Sequence, residues 1–461
     1  MASIAACSSP GIVPKQEHGE DPMQIDSNAP EQRHINRVPE GLLLTDYLRI
    51  YYGKLFPYMD MFKWLSYGNA DGKHPGCDSS YFGRREFSFT IKSDRDEIYL
   101  RFQSFSNASE MESAIKAKCP TKIDIGAVYT VDPAKRHAYA QSGFSPVERE
   151  LIFDIDITDY DDVRYCCSGA DICSDCWPLM TIAIKVIDTA LREDFGFNHI
   201  LWVFSGRRGV HCWVCDSRAR RLSKEQRSAI ADYFNVYKGG ENSLKKVTFS
   251  GPLHPSLARA YTDVLKHYFE EKWISTQKLF EHEERFHKIL QLIPDESVVS
   301  ELAGKWQGSR LEHVNSVRWD QLKHMLQSGS KKTQGLRRCI EEIVFSYTYP
   351  RIDIQVTKGM NHLLKAPFCV HPGTGRVCVP IDPNNCEQFD PTSVPTLAQL
   401  LEELNANASI GTDNYMEKTS LGLSVNFFRT SFLEPLFKTC KEELESAYNT
   451  KIQQSKDSLN W

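Results

Sequence analysis

Two aspartates one residue apart in an alternating apolar segment, Leu151-Ile-Phe-Asp154-Ile-Asp156-Ile-Thr158, are the residues whose spacing most directly suggests chemistry. In a strand, residues i and i+2 share a face roughly 6.6 Å apart, so Asp154 and Asp156 project together while Phe153, Ile155 and Ile157 enter a core. Two like charges side by side repel unless a cation sits between them. A pair of divalent metals about 3.5–4 Å apart is the arrangement used for in-line phosphoryl displacement. Acidic residues on the wet side of a strand are common, so this Asp-x-Asp alone decides little. A second segment, Arg351-Ile-Asp353-Ile-Gln355-Val356, repeats the alternation and predicts a second strand carrying Asp353. Three strand-borne carboxylates from distant positions make a metal cradle on a rigid sheet. Asp159, Asp161 and Asp162 lie past the strand end and read as turn residues.

A basic segment follows the same logic. Phe204-Ser205-Gly206-Arg207-Arg208-Gly209-Val210-His211 links two apolar strands. Glycines let backbone approach an anion, guanidinium groups bind phosphate oxygens bidentately, and His211 can reach the same anion. Just after Asp353 come His362, Lys365 and then His371-Pro-Gly-Thr-Gly, where Lys365 and His371 can face the same metal-bound anion. No Gly-Lys dipeptide is followed by Ser or Thr, so a P-loop ATPase is disfavoured, and no G-x-G-x-x-G fingerprint is present. Cys166-Cys167-x5-Cys173-x-x-Cys176 supplies four soft ligands on a polar loop, fitting a tetrahedral structural Zn²⁺. Cys212-x-x-Cys215 sits in a predicted strand, where a separation of three points the side chains to opposite faces, so these two read as packing residues.

The elements that must position these groups are legible in the pattern. Phe87, Phe89 and Ile91 alternate before a polar turn at Ser93–Asp96, and Ile98, Leu100 and Phe102 after it, predicting a hairpin with Glu86 on its polar face. Further strands are expected at Lys122–Tyr129, Leu151–Thr158, Ile200–Phe204, Val210–Cys215 and Val377–Ile381. A helix pair opens at Leu42–Leu65, broken at Gly53 and Pro57, and another helix begins at Pro178. From Leu222 to Tyr347 the pattern is helical only, starting with a capping box at Ser223–Gln226. The expected organisation is therefore a tail at 1–40, an α/β domain in two parts (41–221 and 348–410) split around a helical subdomain (222–347), and a helical C-terminal region (411–461). The fold class is mixed α+β.

Composition narrows the function classes. Across 461 residues the net charge is −5, which excludes a globally basic nucleic-acid binder but not local basic patches. The first 46 residues hold no Phe, Tyr or Trp, and residues 1–40 carry −3 of the charge, so they are expected to be disordered. No run of about 18 apolar residues indicates a membrane span, and no secretory signal is evident in Met1–Pro14. The fourteen cysteines then read as reduced intracellular thiols.

Taken together, REFSF (85–89), KIDIGAVY (122–129), FDID…DYDDVR…CC…C..C (153–176), DFGF…SGRRGVHCWVCD (194–216) and RIDI…KG.NHLLK.PF.VHP.TGR (351–376) resemble the small, catalytic subunits of eukaryotic DNA primases, in the archaeo-eukaryotic primase family. The resemblance runs from about Leu42 to Asp390. It implies a primase fold with a mixed sheet and an inserted helical subdomain, and DNA-templated synthesis of short RNA primers from ribonucleoside triphosphates. It implies Mg²⁺ or Mn²⁺ at Asp154, Asp156 and Asp353, with Glu86 counted beside them. Nucleotide contacts are implied at Ser205, Gly206, Arg207, Arg208, Gly209, His211, His362, Lys365 and His371, and structural Zn²⁺ at Cys166, Cys167, Cys173 and Cys176. The implied partners are a large primase subunit with an iron–sulfur cluster, the catalytic and accessory subunits of DNA polymerase alpha, and a single-stranded DNA template, in the nucleus. Lys122 and Asp124, co-facing on one strand, are candidate readers of the ribose 2′-hydroxyl. A metal-dependent nuclease or phosphohydrolase using the same carboxylates is the alternative.

Overall fold

Alternating segments build two antiparallel sheets, and the chain after Asp353 crosses from one to the other. The computed structural model describes residues 44–459 apart from 71, 73, 93–95, 239–244, 309–311, 329–335, 337 and 407–414. The expected tail, most of the turn at Ser93–Asp96 and the boundary between 410 and 411 lie outside the described residues. The strands are β1 (Arg85–Lys92), β2 (Glu97–Gln103), β3 (Lys122–Tyr129), β4 (Pro146–Glu148), β5 (Leu151–Asp156), β6 (Ile200–Phe204), β7 (Gly209–Val214), β8 (Leu364–Lys365) and β9 (Pro380–Ile381). The first sheet runs β2-β1-β3-β4 with β8 also paired to β3, and the second runs β5-β7-β6-β9. Every named pairing is antiparallel, so the mixed sheet implied by the resemblance is not what these strands form.

Three strand expectations change, two of them because an aspartate side chain competes with the ladder. The strand expected to reach Thr158 stops at Asp156, whose carboxylate accepts the Thr158 amide at 2.9 Å and turns the chain into a 3₁₀ turn at Ile157–Tyr160. The strand expected at Arg351–Val356 is absent. Asp353 instead caps a short helix, accepting the amides of Gln355 (2.8 Å) and Val356 (3.2 Å). Val377–Ile381 shrinks to β9 and an isolated Val370–Val377 bridge, as Cys378 accepts the Phe368 amide at 2.7 Å and donates its own to the Cys369 carbonyl at 2.8 Å.

The helices are α1 (Leu44–Lys54), α2 (Tyr58–Ser66), α3 (Pro178–Glu193), α4 (Lys224–Phe234), α5 (Cys339–Thr348) and α6 (Ile354–Lys358), among others. Gly53 lies inside α1, so the opening pair breaks only near Pro57. The face of α3 expected from Leu179, Ile182, Ala183, Val186 and Ala190 is buried, and the indole of Trp202 on β6 donates to Asp188 on α3 at 3.0 Å. α4 starts with the expected capping box. From α4 through α5, every element among the described residues is helical.

A buried ionic cluster locks the sheets together. Both terminal nitrogens of Arg85 on β1 reach Glu150, just ahead of β5, at 3.0 Å; Arg149 joins at 2.7 Å and the Tyr67 hydroxyl at 2.6 Å. All three charged side chains are fully buried. Burial raises the Glu150 carboxyl, but Arg85 and Arg149 outweigh it and hold the group well below the usual carboxylate range. Arg227 of α4, also buried, donates to the carbonyls of Arg149 and Glu150, so the first helix of the helical block is anchored to the same cluster.

Candidate active site and thiol cluster

On β5 the expected alternation holds, with Phe153 and Ile155 fully buried and both aspartates partly exposed, and Ile157 just past the strand is buried as well. Asp154 faces His211 across the ladder, and Asp156 faces Gly209. Asp353 arrives by a different route from the expected strand: its amide donates to the Asp154 carbonyl at 3.0 Å, placing the cap of α6 beside β5. Burial, then the charges of Asp156 and Asp353, push the Asp154 carboxyl from its usual 3.8 up to about 7, with Lys365 opposing them. The three aspartates therefore form one electrostatic group. The donor set is all hard oxygen, which suits Mg²⁺ or Mn²⁺. Both oxygens of Asp156 are already engaged, Oδ1 by the amide and hydroxyl of Thr158 and Oδ2 by Nε of Arg208 at 2.7 Å.

Asp159, expected only as a turn residue, belongs to the same group. The 3₁₀ turn after β5 folds it back, and burial of its carboxyl followed by Asp156 raises it to about 6, although the residue as a whole stays exposed. Arg351 donates to the Asp159 carbonyl and to Asp162, and its amide donates to the Tyr160 hydroxyl oxygen at 2.8 Å. The acidic Thr158–Asp162 run was visible; its return toward β5 was not, because it depends on Asp156 acting as a cap.

The basic hairpin closes over the crossing segment. β8 pairs with β3 (Asp124 opposite Lys365), and β9 pairs with β6, so the chain between them spans both sheets. Along it, Lys365 Nζ donates to the Ser205 carbonyl at 3.1 Å and the Thr374 hydroxyl to the Gly206 carbonyl at 2.6 Å. Gly206 has φ +88°, and a β-carbon there would meet His371 Cβ at 2.7 Å. A β-carbon on Gly209 would meet the Ile155 carbonyl oxygen at 2.3 Å. Both glycines are required by close approach. His211 and His371 are buried and neutral: burial, then Lys365, lowers each to about 3. His371 Nδ1 accepts the Gly373 amide at 3.1 Å, which leaves Nε2 carrying the proton. His211 Nε2 is 3.6 Å from Asp154, too far for a hydrogen bond, and its Nδ1 is buried without a partner.

Other expected residues divide. Lys122 and Asp124 do share a face, at 3.3 Å, and Asp124 also accepts the Ser88 hydroxyl at 3.1 Å. Glu86 is fully buried, and its carboxylate is taken up by Arg101 (3.0 and 3.3 Å), the Phe102 amide and the Tyr129 hydroxyl. His362 packs over Gly359 in the turn after α6 and, among the described residues, makes no bond to the basic hairpin.

The four cysteines converge. Among the described residues, Cys166, Cys167, Cys173 and Cys176 are the one group of three or more ligand-type side chains whose ligand atoms all lie within 4.8 Å of one another. Four thiolates at Zn–S ≈ 2.3 Å would sit about 3.8 Å apart, and Cys173 and Cys176 already stand at 3.9 Å. The thiols thus fit a structural metal. Two buried side chains that sequence reasoning missed hold this loop. Arg164 binds Asp161, the carbonyls of Gly169 and Asp171, and Cys176 Sγ. Gln277, from the helical block, accepts the Tyr165 amide at 2.6 Å and donates to Cys166 Sγ and the Asp175 carbonyl. Cys212 and Cys215 are buried and outside the cluster; Cys215 accepts the Trp64 indole at 3.4 Å.

Comparison with known proteins identifies the family. A family model described as DNA primase small subunit matches residues 153–383, from β5 to just past β9. The DNA primase small subunit of Drosophila melanogaster is 43% identical over 79% of this chain and 82% of its own length. That of Schizosaccharomyces pombe is 40% identical over 81% of both, and that of Saccharomyces cerevisiae 38% identical over 86% and 94%. At these identities over most of both chains, the protein belongs to the DNA primase small subunit family.

Proposed function

We infer that this chain synthesises short RNA primers on a DNA template, as the catalytic subunit of a primase. The reaction is nucleotidyl transfer: a primer 3′-hydroxyl attacks the α-phosphorus of a ribonucleoside triphosphate, the new phosphodiester forms, and pyrophosphate leaves. The observation that carries this reading is the pairing of β5 with β7, which sets Asp154 and Asp156 against the Ser205–His211 hairpin in a member of this family. Asp154, Asp156 and Asp353 would hold two Mg²⁺ or Mn²⁺ ions, which when bound neutralise phosphate charge and activate the hydroxyl.

The protein's own groups orient the triphosphate. Arg207 bears a half-buried guanidinium with no ion pair among the described residues, and Lys365 sits against the Ser205 carbonyl. The proton on His371 Nε2 is a neutral donor fixed by the Gly373 amide, so it binds phosphate without adding repulsion to its cationic neighbours. His211, also neutral, lies opposite Asp154 across the β5–β7 ladder. Arg208, Ser205, Gly206, Gly209 and His362 complete the proposed nucleotide contacts, and Glu86 acts through Arg101. Zn²⁺ is the proposed ion for the thiol cluster.

The helical block at 222–347 is read as a subdomain inserted between the two catalytic segments, 41–221 and 348–410, with 411–461 following. A large primase subunit bearing an iron–sulfur cluster, the subunits of DNA polymerase alpha, single-stranded template and a nuclear setting complete the reading. Within the chain, no helix among the described residues is long and apolar enough to cross a membrane. The nuclease alternative finds no support in the family.

The test is Asp156→Ala assayed with labelled ATP on a poly-dT template. Primer synthesis should fall by about 10²-fold or more, the scale of losing a preorganised charge at a reaction centre. Retained synthesis would sink the assignment, and shortening of labelled DNA by the wild-type chain would favour the nuclease.

A further inference from the structure

Arg208 is claimed by two chemistries. Its setting between glycines in a basic hairpin suits a phosphate, yet its Nε donates to Asp156 Oδ2 at 2.7 Å. The other oxygen of Asp156, Oδ1, accepts the amide and hydroxyl of Thr158 at 2.9 and 2.8 Å and starts the 3₁₀ turn. The oxygen of Asp156 that the fold leaves for a cation is therefore the one Arg208 holds. Backbone pairing enforces the meeting: Asp156 is opposite Gly209, and the Ile157 amide donates to the Arg208 carbonyl at 3.2 Å. Arg207, one residue earlier, has no ion pair among the described residues and serves as an internal control for charge alone.

We propose that Arg208 is an exchange residue, pairing with Asp156 when the site is empty of nucleotide and passing to the anionic phosphate that accompanies a divalent ion. A guanidinium and a divalent cation repel each other at one carboxylate oxygen, so metal entry frees Arg208, and the freed guanidinium strengthens triphosphate binding. Linkage makes the effect reciprocal, with triphosphate tightening the metal by the factor that metal tightens triphosphate. Arg208 is thus a positioning residue that keeps the lone aspartates from filling with metal ahead of substrate. This inference rests on the aspartates being the metal site.

The experiment is Mn²⁺ binding to the full chain without nucleotide, followed by electron paramagnetic resonance of the free ion. The pair is a quarter to a third exposed, so solvent screening limits the expected gain: Arg208→Gln should tighten Mn²⁺ by about two- to fivefold. Arg207→Gln should change it by less than about twofold, since its charge is screened and not shared with Asp156. Adding a non-hydrolysable triphosphate should tighten Mn²⁺ more in the wild type than in Arg208→Gln. Equal tightening by both substitutions, or none by Arg208→Gln while Asp154→Asn abolishes binding, overturns the exchange and leaves the metal site standing. Mn²⁺ affinity unchanged in Asp154→Asn overturns the metal site itself, and the exchange with it.

Discussion

Asp154 sits where its charge is disfavoured by its surroundings. Its carboxyl is raised from 3.8 to about 7 by burial and by Asp156 and Asp353. A carboxyl whose folded value exceeds its unfolded one contributes stability that is complete below the unfolded value and is lost as pH rises through the folded one. Without added divalent ion, the melting temperature of the wild type should therefore drop relative to Asp154→Asn as pH is raised from 5 to 8. Added Mg²⁺ should reverse the drop in the wild type only. A pH-independent difference between the two proteins would show that Asp154 is already ionised and unstressed.

At the scale of elements, Asp353 shows how a short helix does what alternation assigned to a strand. The side chain caps α6 while its amide ties the helix to β5. Capping and charge can be separated. Asp353→Asn keeps a good cap, so it should melt near the wild type while losing primer synthesis. Asp353→Ala loses both and should cost about 1 kcal/mol of stability besides. If Asp353→Asn retains activity, the carboxylate is a cap and nothing more. The same competition explains which elements were legible. β1 alternates throughout, β3 opens with the same alternation, and β6 and β7 are short, mostly apolar runs that are buried along their length, so their residues alone predict them. Asp156 and Asp353 sit in equally regular patterns, but an aspartate that can reach an amide two residues on opens another local minimum.

Across the whole molecule, the thiol loop links parts that are far apart in sequence. Gln277 ties it to the helical block, and Arg164 and Asp161 tie it to the 3₁₀ turn that carries Asp159. Loss of the metal should therefore loosen more than the loop. Cys173→Ser is expected to abolish bound zinc, lower the melting temperature by several degrees and expose the 222–347 block to protease, because metal-binding energy in such a loop is folding energy. Zinc lost with melting and proteolysis unchanged would count against the clamp.

By itself the sequence determined the chemical inventory: the Asp-x-Asp of β5, the glycine-flanked arginine pair, the four-thiol loop, the helical stretch after Leu222, and the family. These depend on residue type and short-range period, which a linear chain carries in full. Only the tertiary structure decided that the segment after Asp353 bridges both sheets, that Asp159 folds back into the acidic group, that Glu86 is saturated by Arg101, and that Arg208 rests on Asp156. Each of those depends on which distant backbones meet, and that is settled by packing and by competition for hydrogen bonds rather than by any local pattern.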